Sequence, residues 1–404
     1  MPPLDQSELF KRAVLRPAWI EVDLDAIATN VQTLKRFLGK TQLLSIVKAD
    51  AYGLGALPVA KTIAENGADR LGVVMLDEAA ELRAAGLTAP ILNLGPIYPL
   101  QADLVAELDV EQMVDDTTVA EALAAAGQRR NKIISIHFEV DTGMSRYGAP
   151  RREAVSRLRH ISTMPSLRLV GIFSHFPMSD AIDKSFALLQ IERMNEIRRA
   201  LESEGIQIPI WHICNSGGTL DLSWAHWEMV RVGLMNYGYF PSQDVRRPFE
   251  LCPAMSVKAK IVAIRTIRRG DSVGYGRRYI AQSQERVAVL PIGYSDGYDR
   301  KLRNIGQVLY RGARVPIIGG LCMDCCFIRI SEHADAKIGD TVTLMGLDGG
   351  AEISPHEIAK LIESVSYEVI SRFGRRLPRV YIQAGEVVQV NNALLHDYLI
   401  PKTR

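Results

Sequence analysis

Ile46-Val47-Lys48-Ala49-Asp50-Ala51-Tyr52-Gly53-Leu54-Gly55 carries an apolar strand straight into one lysine, which a glycine-punctuated turn follows at once. A lysine on a strand tip at the mouth of an apolar site loses its charge by desolvation, and the neutral amine forms a Schiff base with a carbonyl. The plainer alternative is a solvated lysine at a strand end. The rest of the chain decides between them.

Working outward from that strand, β-rich runs stand at 43–49, 70–75, 91–95, 112–116, 133–141, 169–175, 208–216 and 228–233. Helical patterns separate most of them, as at 77–85, 117–126 and 185–202. Eight such strands over the first 250 residues predict a parallel (β/α)8 TIM-type barrel. A doubly wound open sheet is the competitor, yet no Gly-x-Gly-x-x-Gly turn follows the first strand. Ahead of the barrel, Ile27, Val31, Leu34 and Leu38 fall at helical spacing over 23–38, read as a helix packed on it.

Beyond Tyr239 the character changes. β-branched runs and glycine turns alternate from about Leu251 onward, at 257–266, 286–292, 306–311, 315–318, 326–330, 341–344 and 380–390. One helix interrupts them, opened by the capping box Ser354-Pro355-His356-Glu357. The expected class is α/β: an N-terminal extension over 1–17, a barrel over 18–248 and a mostly β C-terminal domain over 249–404. The leading strand 18–24 is free in this reading to pair with the C-terminal domain.

Composition narrows the function. Of 404 residues, 48 are Lys or Arg and 46 Asp or Glu, so no strong field invites nucleic acid or an anionic membrane. No apolar run spans a bilayer, and the start Met1-Pro2-Pro3-Leu4-Asp5 lacks the look of an export signal. Five cysteines, three of them at 322, 325 and 326, fit a reducing cytoplasm better than a disulfide scaffold. Cys322-x-x-Cys325 lacks a second ligand pair at zinc spacing, so no metal is expected.

Chemistry in such a barrel gathers at the C-terminal ends of the strands. Lys48 ends the first run, Asp141-Thr-Gly-Met-Ser-Arg146 follows the fifth, His175 closes the sixth, Asn215-Ser216 follows the seventh and Arg231-Val-Gly233 sits at the eighth. Singly, a histidine here is core and an arginine an ion-pair partner; five converging on one rim are harder to dismiss. Ser216 and the amides near Gly217 and Gly233 suit a phosphate. Lys48 opposite a phosphate holder points to a phosphorylated aldehyde, pyridoxal 5'-phosphate.

With these pieces assembled, the chain resembles the alanine racemases over nearly its whole length. The likeness lies in Lys48-Ala-Asp-Ala-Tyr-Gly-Leu-Gly55, Val140-Asp-Thr-Gly-Met-Ser-Arg146, His175-Phe176, Cys214-Asn-Ser216 and Met229-Val-Arg-Val-Gly233. It continues in Gly274-Tyr-Gly276, Gly293-Tyr-Ser-Asp-Gly297 and Cys322-Met-Asp324. The resemblance implies a pyridoxal-phosphate barrel followed by a β domain, in a homodimer whose sites are completed by the partner's β domain. It makes Lys48 the cofactor's anchor and one base, and Tyr275, reaching in from the partner, the other. Tyr52, Asn215, Ser216, Gly233 and Leu234 would hold the cofactor, with Arg231 facing its pyridine nitrogen. Arg146 and the amide of Met323 would receive the substrate carboxylate, with Asp324, Tyr294 and Arg300 in support. A phenol with a pKa near ~10 needs cationic neighbours to serve as a base at neutral pH, and His175 and Arg231 look suited to that.

Three positions depart from the family pattern. Glu139 stands where many members carry a lysine that becomes carbamylated, and it is read as supplying the carboxylate beside Arg146 directly. Gly320 replaces an arginine common at the entrance, and Arg375 stands where some members place a phosphate-contacting tyrosine. The expected function is therefore interconversion of L- and D-alanine for peptidoglycan, in the cytoplasm. Serine or another amino acid remains open as substrate, and a decarboxylase of the same barrel type is the more distant alternative. A carrier protein of the single-barrel kind would lack residues 251–390.

Overall fold

The computed structural model describes residues 16–395, which divide into two compact units: residues 26–51 with 56–252, and the remainder. The first is the barrel. Its strands Gln42–Ile46, Arg70–Val73, Ile91–Asn93, Glu111–Val114, Ile134–Asp141, Leu167–Phe173, Ile210–His212 and Met229–Val232 run parallel in chain order. The last pairs with the first, Val230 opposite Leu43, and Arg231 N donates to Cys214 O at 2.9 Å across the remaining seam. The eight-strand barrel expected from alternation is what forms. Local chemistry sets its helix ends. Asp116 accepts from Thr118 N at the start of Thr117–Arg130, and Asn131, left-handed at φ 52, stops it four residues beyond the expected end.

The first strand ends differently from its reading. It stops at Ile46, and Lys48 opens the helical turn Lys48–Gly53 instead of closing the strand. Ala49, Asp50, Ala51 and Tyr52 all have φ between 51 and 57, so this turn is left-handed. Each non-glycine residue there costs roughly 1–2 kcal/mol, and the turn persists because its surroundings hold it. Ala51 N donates to Val47 O at 2.9 Å, Ala49 N to Glu78 Oε1 at 2.6 Å and Ala56 N to Asp50 Oδ1 at 2.6 Å.

The second unit is mostly β. Its principal sheet runs Ala313–Pro316, Gln307–Tyr310, Thr341–Asp348, Met255–Lys260, Ala18–Asp23, Arg379–Gln383, Glu386–Asn391. The leading strand Ala18–Asp23 lies in its middle, antiparallel to Met255–Lys260 and parallel to Arg379–Gln383. A smaller sheet joins Ala263–Ile267, Glu285–Leu290 and Cys326–Arg329. Three details differ from the sequence reading. The run at 380–390 is a hairpin, because Ala384 and Gly385 both take positive φ and form a two-residue turn. The run at 257–266 breaks into two strands belonging to different sheets. A second helix, Ser366–Ser371, follows Pro355–Ile362; it is six residues long and its N-cap, Val365, offers no side-chain cap, so it left no start signal. Residues 1–15 of the expected N-terminal extension lie outside the described residues. Among those described, no helix is long and apolar enough to cross a membrane.

Candidate active site

In the barrel unit, Lys48 is half-buried just past the first strand. Burial, and then the Arg146 guanidinium, hold its amine below ordinary lysine basicity, while Glu78 pulls the other way. Arg146 stands on the loop after the fifth strand, where Asp141 Oδ1 accepts from the N–H groups of Gly143, Met144 and Ser145 at 2.9–3.0 Å. Its guanidinium stacks 5.4 Å from the Tyr147 ring centre.

Arg231 is buried and heavily engaged. Its Nη2 donates to Ser174 O at 2.6 Å and reaches His175 Nδ1 at 3.2 Å; its Nη1 reaches His212 Nδ1 at 2.7 Å and donates to His212 O at 3.1 Å. Burial lowers its pKa to about 10, with Glu139 opposing, so it stays a cation at neutral pH. His175 differs from expectation in charge. Burial, then Arg231, Arg146 and Lys48, push its imidazole well below the ordinary range, so it is neutral rather than a second cation.

Glu139 is buried, and burial lifts its carboxyl to about 7 against the pull of Arg231 and Arg146. Oε2 is buried with no hydrogen-bond partner among the described residues. The carboxylate acts on both arginines through its field.

At the seventh and eighth strands, Asn215 is consumed by local structure. It caps the helix Ser216–Asp221 by accepting from Gly218 N at 3.1 Å, accepts from Ser179 Oγ at 2.5 Å and donates to Phe176 O at 3.1 Å. Ser216 Oγ accepts from Gly233 N at 3.2 Å. Gly233 precedes the short helical turn Leu234–Tyr237, whose first N–H groups have no carbonyl within the turn to bond. A hydroxyl and the amides of the following turn thus share this corner of a barrel unit that also carries the half-buried Lys48 amine, the buried Arg231 guanidinium and, on an exposed loop, that of Arg146. That donor set suits an anionic, carbonyl-bearing ligand.

The β unit holds the other expected residues. Tyr275 is 78% exposed, between Gly274 and Gly276, both at φ 73. A Cβ on Gly274 would lie 2.7 Å from Gly320 O, and one on Gly320 would lie 3.0 Å from Tyr275 O. Glycine at 320 therefore lets two backbones meet where an arginine would crowd them. Tyr275, Arg278, Tyr294, Arg300 and Arg303 line a cavity of about 210 Å³, with the Arg300 guanidinium 5.5 Å from the Tyr294 ring centre. Met323 is exposed on a turn fastened by Ser295, whose hydroxyl donates to Met323 O at 2.6 Å; Asp324 accepts from Arg376 at 2.5 Å. Cys325, beside that turn, has its thiol pushed up to about 11 by burial and by Cys322. Tyr52 is buried with its ring 6.1 Å from that of Tyr367. Sequence reasoning passed over Tyr367, and also Glu78, Glu111, His137 and His212. None carries a motif, and Tyr367 lies on the helix that left no start signal.

A parallel (β/α)8 barrel with a half-buried lysine just past one strand, followed by a mostly β domain, is an architecture shared with solved racemases, and the relatives of this chain make it an isomerase of the amino-acid racemase class. The sequence profile of the alanine racemase N-terminal domain matches residues 22–241 and that of the C-terminal domain residues 254–381, and the chain belongs to the alanine racemase family. It is 41% identical to alanine racemase 2 of Caldanaerobacter subterraneus subsp. tengcongensis, covering 94% of this chain and 98% of that one. The crystal structure of alanine racemase from Bacillus anthracis with bound L-Ala-P superposes with a TM-score of 0.88 at 36% identity, covering 94% and 98% of the two chains. A histidine racemase from Leuconostoc mesenteroides superposes at 0.83 with 28% identity, covering 91% and 98%.

Proposed function

We propose that this racemase interconverts L- and D-alanine with pyridoxal 5'-phosphate, works as a cytoplasmic homodimer and supplies D-alanine for peptidoglycan. The observation that carries the reading is the Lys48 amine, half-buried at the mouth of a barrel strand and held below ordinary basicity by burial and Arg146. Lys48 would anchor the cofactor; Ser216, Tyr52 and the amides of Gly233 and Leu234 would take its phosphate; Arg231 would face its pyridine nitrogen. When bound, the cofactor supplies an electron-withdrawing ring that makes the α-proton of an amino acid removable.

The protein's own groups then handle that proton. Removal and return on one face only regenerates the starting enantiomer, so two groups are needed, Lys48 Nζ on one side and Tyr275 Oη on the other. Arg231 can only donate, so facing the ring nitrogen it would leave that nitrogen without a proton and would restrain competing decarboxylation. Arg146 and the amide of Met323 would orient the substrate carboxylate. The exposure of Tyr275 in a single chain supports delivery from a second copy, since proton transfer wants water excluded.

A larger amino acid is the second reading, favoured by the likeness to a histidine racemase. Selection between a methyl and a hydroxymethyl group is worth only about 1–3 kcal/mol, so the pocket decides by small margins. Each enantiomer of alanine, serine and histidine is incubated with the holoenzyme in heavy water. Deuterium at the α-carbon with inversion, fastest for alanine, is the expected result. Faster inversion of serine or histidine reassigns the substrate, and exchange without inversion ends the racemase reading.

A further inference from the structure

A row of polar side chains runs along the inside of the barrel unit and ends on Arg231. Arg70 and Glu111 are the first residues of their strands, at the end of the barrel away from Lys48. Arg70 Nε donates to Glu111 Oε2 at 2.9 Å, and His137 Nε2 lies 3.2 Å from the same oxygen. His137 Nδ1 is 3.0 Å from His212 Nε2, and Arg231 Nη1 is 2.7 Å from His212 Nδ1.

The chemistry of one end assigns every proton in between. A guanidinium only donates, so His212 Nδ1 accepts and the proton of that ring sits on Nε2. That N–H donates to His137 Nδ1, which leaves the His137 proton on Nε2, pointing at the Glu111 carboxylate. No other arrangement keeps both rings neutral and all the contacts bonded. Burial lowers both imidazoles, with Arg231 and Arg70 adding to the effect and Glu111 opposing it at His137. Burial also works to raise Glu111, but His137 and Arg70 outweigh it and hold the carboxyl at about 2.

The surroundings are shaped to these rings. Barrel interiors are ordinarily filled with branched apolar side chains, and buried polar groups are tolerated only when bonded. A Cβ on Gly171 would lie 2.3 Å from His137 Nδ1, so only glycine leaves room for that imidazole. Phe173 stacks on His212 at 4.8 Å and 15°, and the Arg231 guanidinium lies 5.2 Å from the same phenyl ring.

We propose that Glu111 and His137 are positioning residues for Arg231, acting through His212. The two neutral imidazoles fix which way Arg231 donates while keeping the carboxylate at a distance that leaves its positive charge unpaired. This rests on the reading of Arg231 as the residue facing the cofactor ring.

The test reads the row and the reaction separately. Long-range proton–nitrogen spectra of histidine-labelled holoenzyme are expected to show His137 and His212 as neutral Nε2–H rings at neutral pH and above. Glu111→Gln keeps the shape and removes the charge. It is expected to move the His212 nitrogen signals, to lower kcat about tenfold with KM within about twofold, and to shift the kcat–pH profile. His137→Gln, which retains a donor and an acceptor, is expected to recover much of the rate that His137→Phe loses. A His212 proton found on Nδ1, or a Glu111→Gln enzyme with native His212 signals and a native pH profile, overturns the proposal. Native protein that never racemises an amino acid defeats the functional reading instead, before any variant is made.

Discussion

Arg231 reaches Nδ1 of His175 at 3.2 Å, and that bond leaves the ring's one proton on Nε2. Arg231 is thus the cation of this pair and His175 a neutral donor beyond it, poised by the charge behind it. The pair's behaviour depends on a planar fork, since three carbonyls and two imidazoles share one guanidinium.

Arg231→Lys keeps the charge and loses the fork. One ammonium cannot span Ser174 O, His175 and His212, so buried acceptors go unpaired. Stability is expected to fall by about 3 kcal/mol and kcat by about 100-fold. Thermal melting and steady-state kinetics check both numbers, and a variant within twofold of native kcat contradicts the role given to the fork.

Lys48→Ala and Tyr275→Phe are expected to separate the two faces of the reaction. The first would remove the proposed anchor and with it the visible band expected of bound pyridoxal 5'-phosphate. The second would keep that band, because the phenol is not the proposed anchor, and would lower kcat by about 10²–10⁴. An unchanged rate in Tyr275→Phe counts against the two-base assignment.

Ala49→Gly tests the left-handed turn. Ala49 is exposed at φ 53, so its methyl contributes little burial while its backbone sits in a region disfavoured for alanine. Glycine removes that cost and adds some unfolded-state entropy, for an expected net gain of about 0.5 kcal/mol. A lower melting temperature means the turn is less strained than its dihedrals indicate.

The eight strands were legible because each is a short apolar run bounded by helical periodicity, and the rim residues because they follow those runs. The turn after Lys48 was not: residues 49–52 include no glycine, and nothing local in Ala-Asp-Ala-Tyr asks for positive φ. Glu78, which helps hold it, lies 29 positions away from Ala49. The row from Arg70 to Arg231 was hidden for a related reason. His137 and His212 are 75 positions apart, and each alone reads as an ordinary core histidine. Glu139 stood out only as a departure from a pattern; its buried, unpartnered oxygen is visible in three dimensions alone.

Glu139 and Glu111 give opposite slopes to stability against pH. The Glu139 carboxyl at about 7 lies above its unfolded value near ~4.3, so the folded state binds more protons between them and stability falls as pH rises through that window. Glu111 at about 2 lies below its unfolded value, so its contribution is complete above ~4.3 and is lost as pH falls towards 2. Glu139→Gln is expected to gain about 2–3 kcal/mol at pH 8 and almost nothing at pH 4. It also removes negative charge near Arg146, so substrate KM should change. Denaturant unfolding at both pH values with parallel kinetics checks this, and a variant native in stability profile, turnover and KM shows the carboxylate to be idle.

Gly293→Ala probes the Met323 turn. At φ −141 alanine meets no backbone objection, so only space is at issue. A Cβ there would lie 2.3 Å from Cys322 O and 2.4 Å from Met323 O, and backbone cannot swing aside as a side chain does. Tyr294 N and Ser295 N, which donate to those two carbonyls at 3.1 Å each, would be prised away as the turn moves. Two hydrogen bonds at about 1 kcal/mol each set the expected loss of stability at about 2 kcal/mol. If the Met323 amide receives the substrate carboxylate, KM should rise several-fold more than kcat falls. Stability lost with KM unmoved would leave the turn structural and take the carboxylate contact away from Met323.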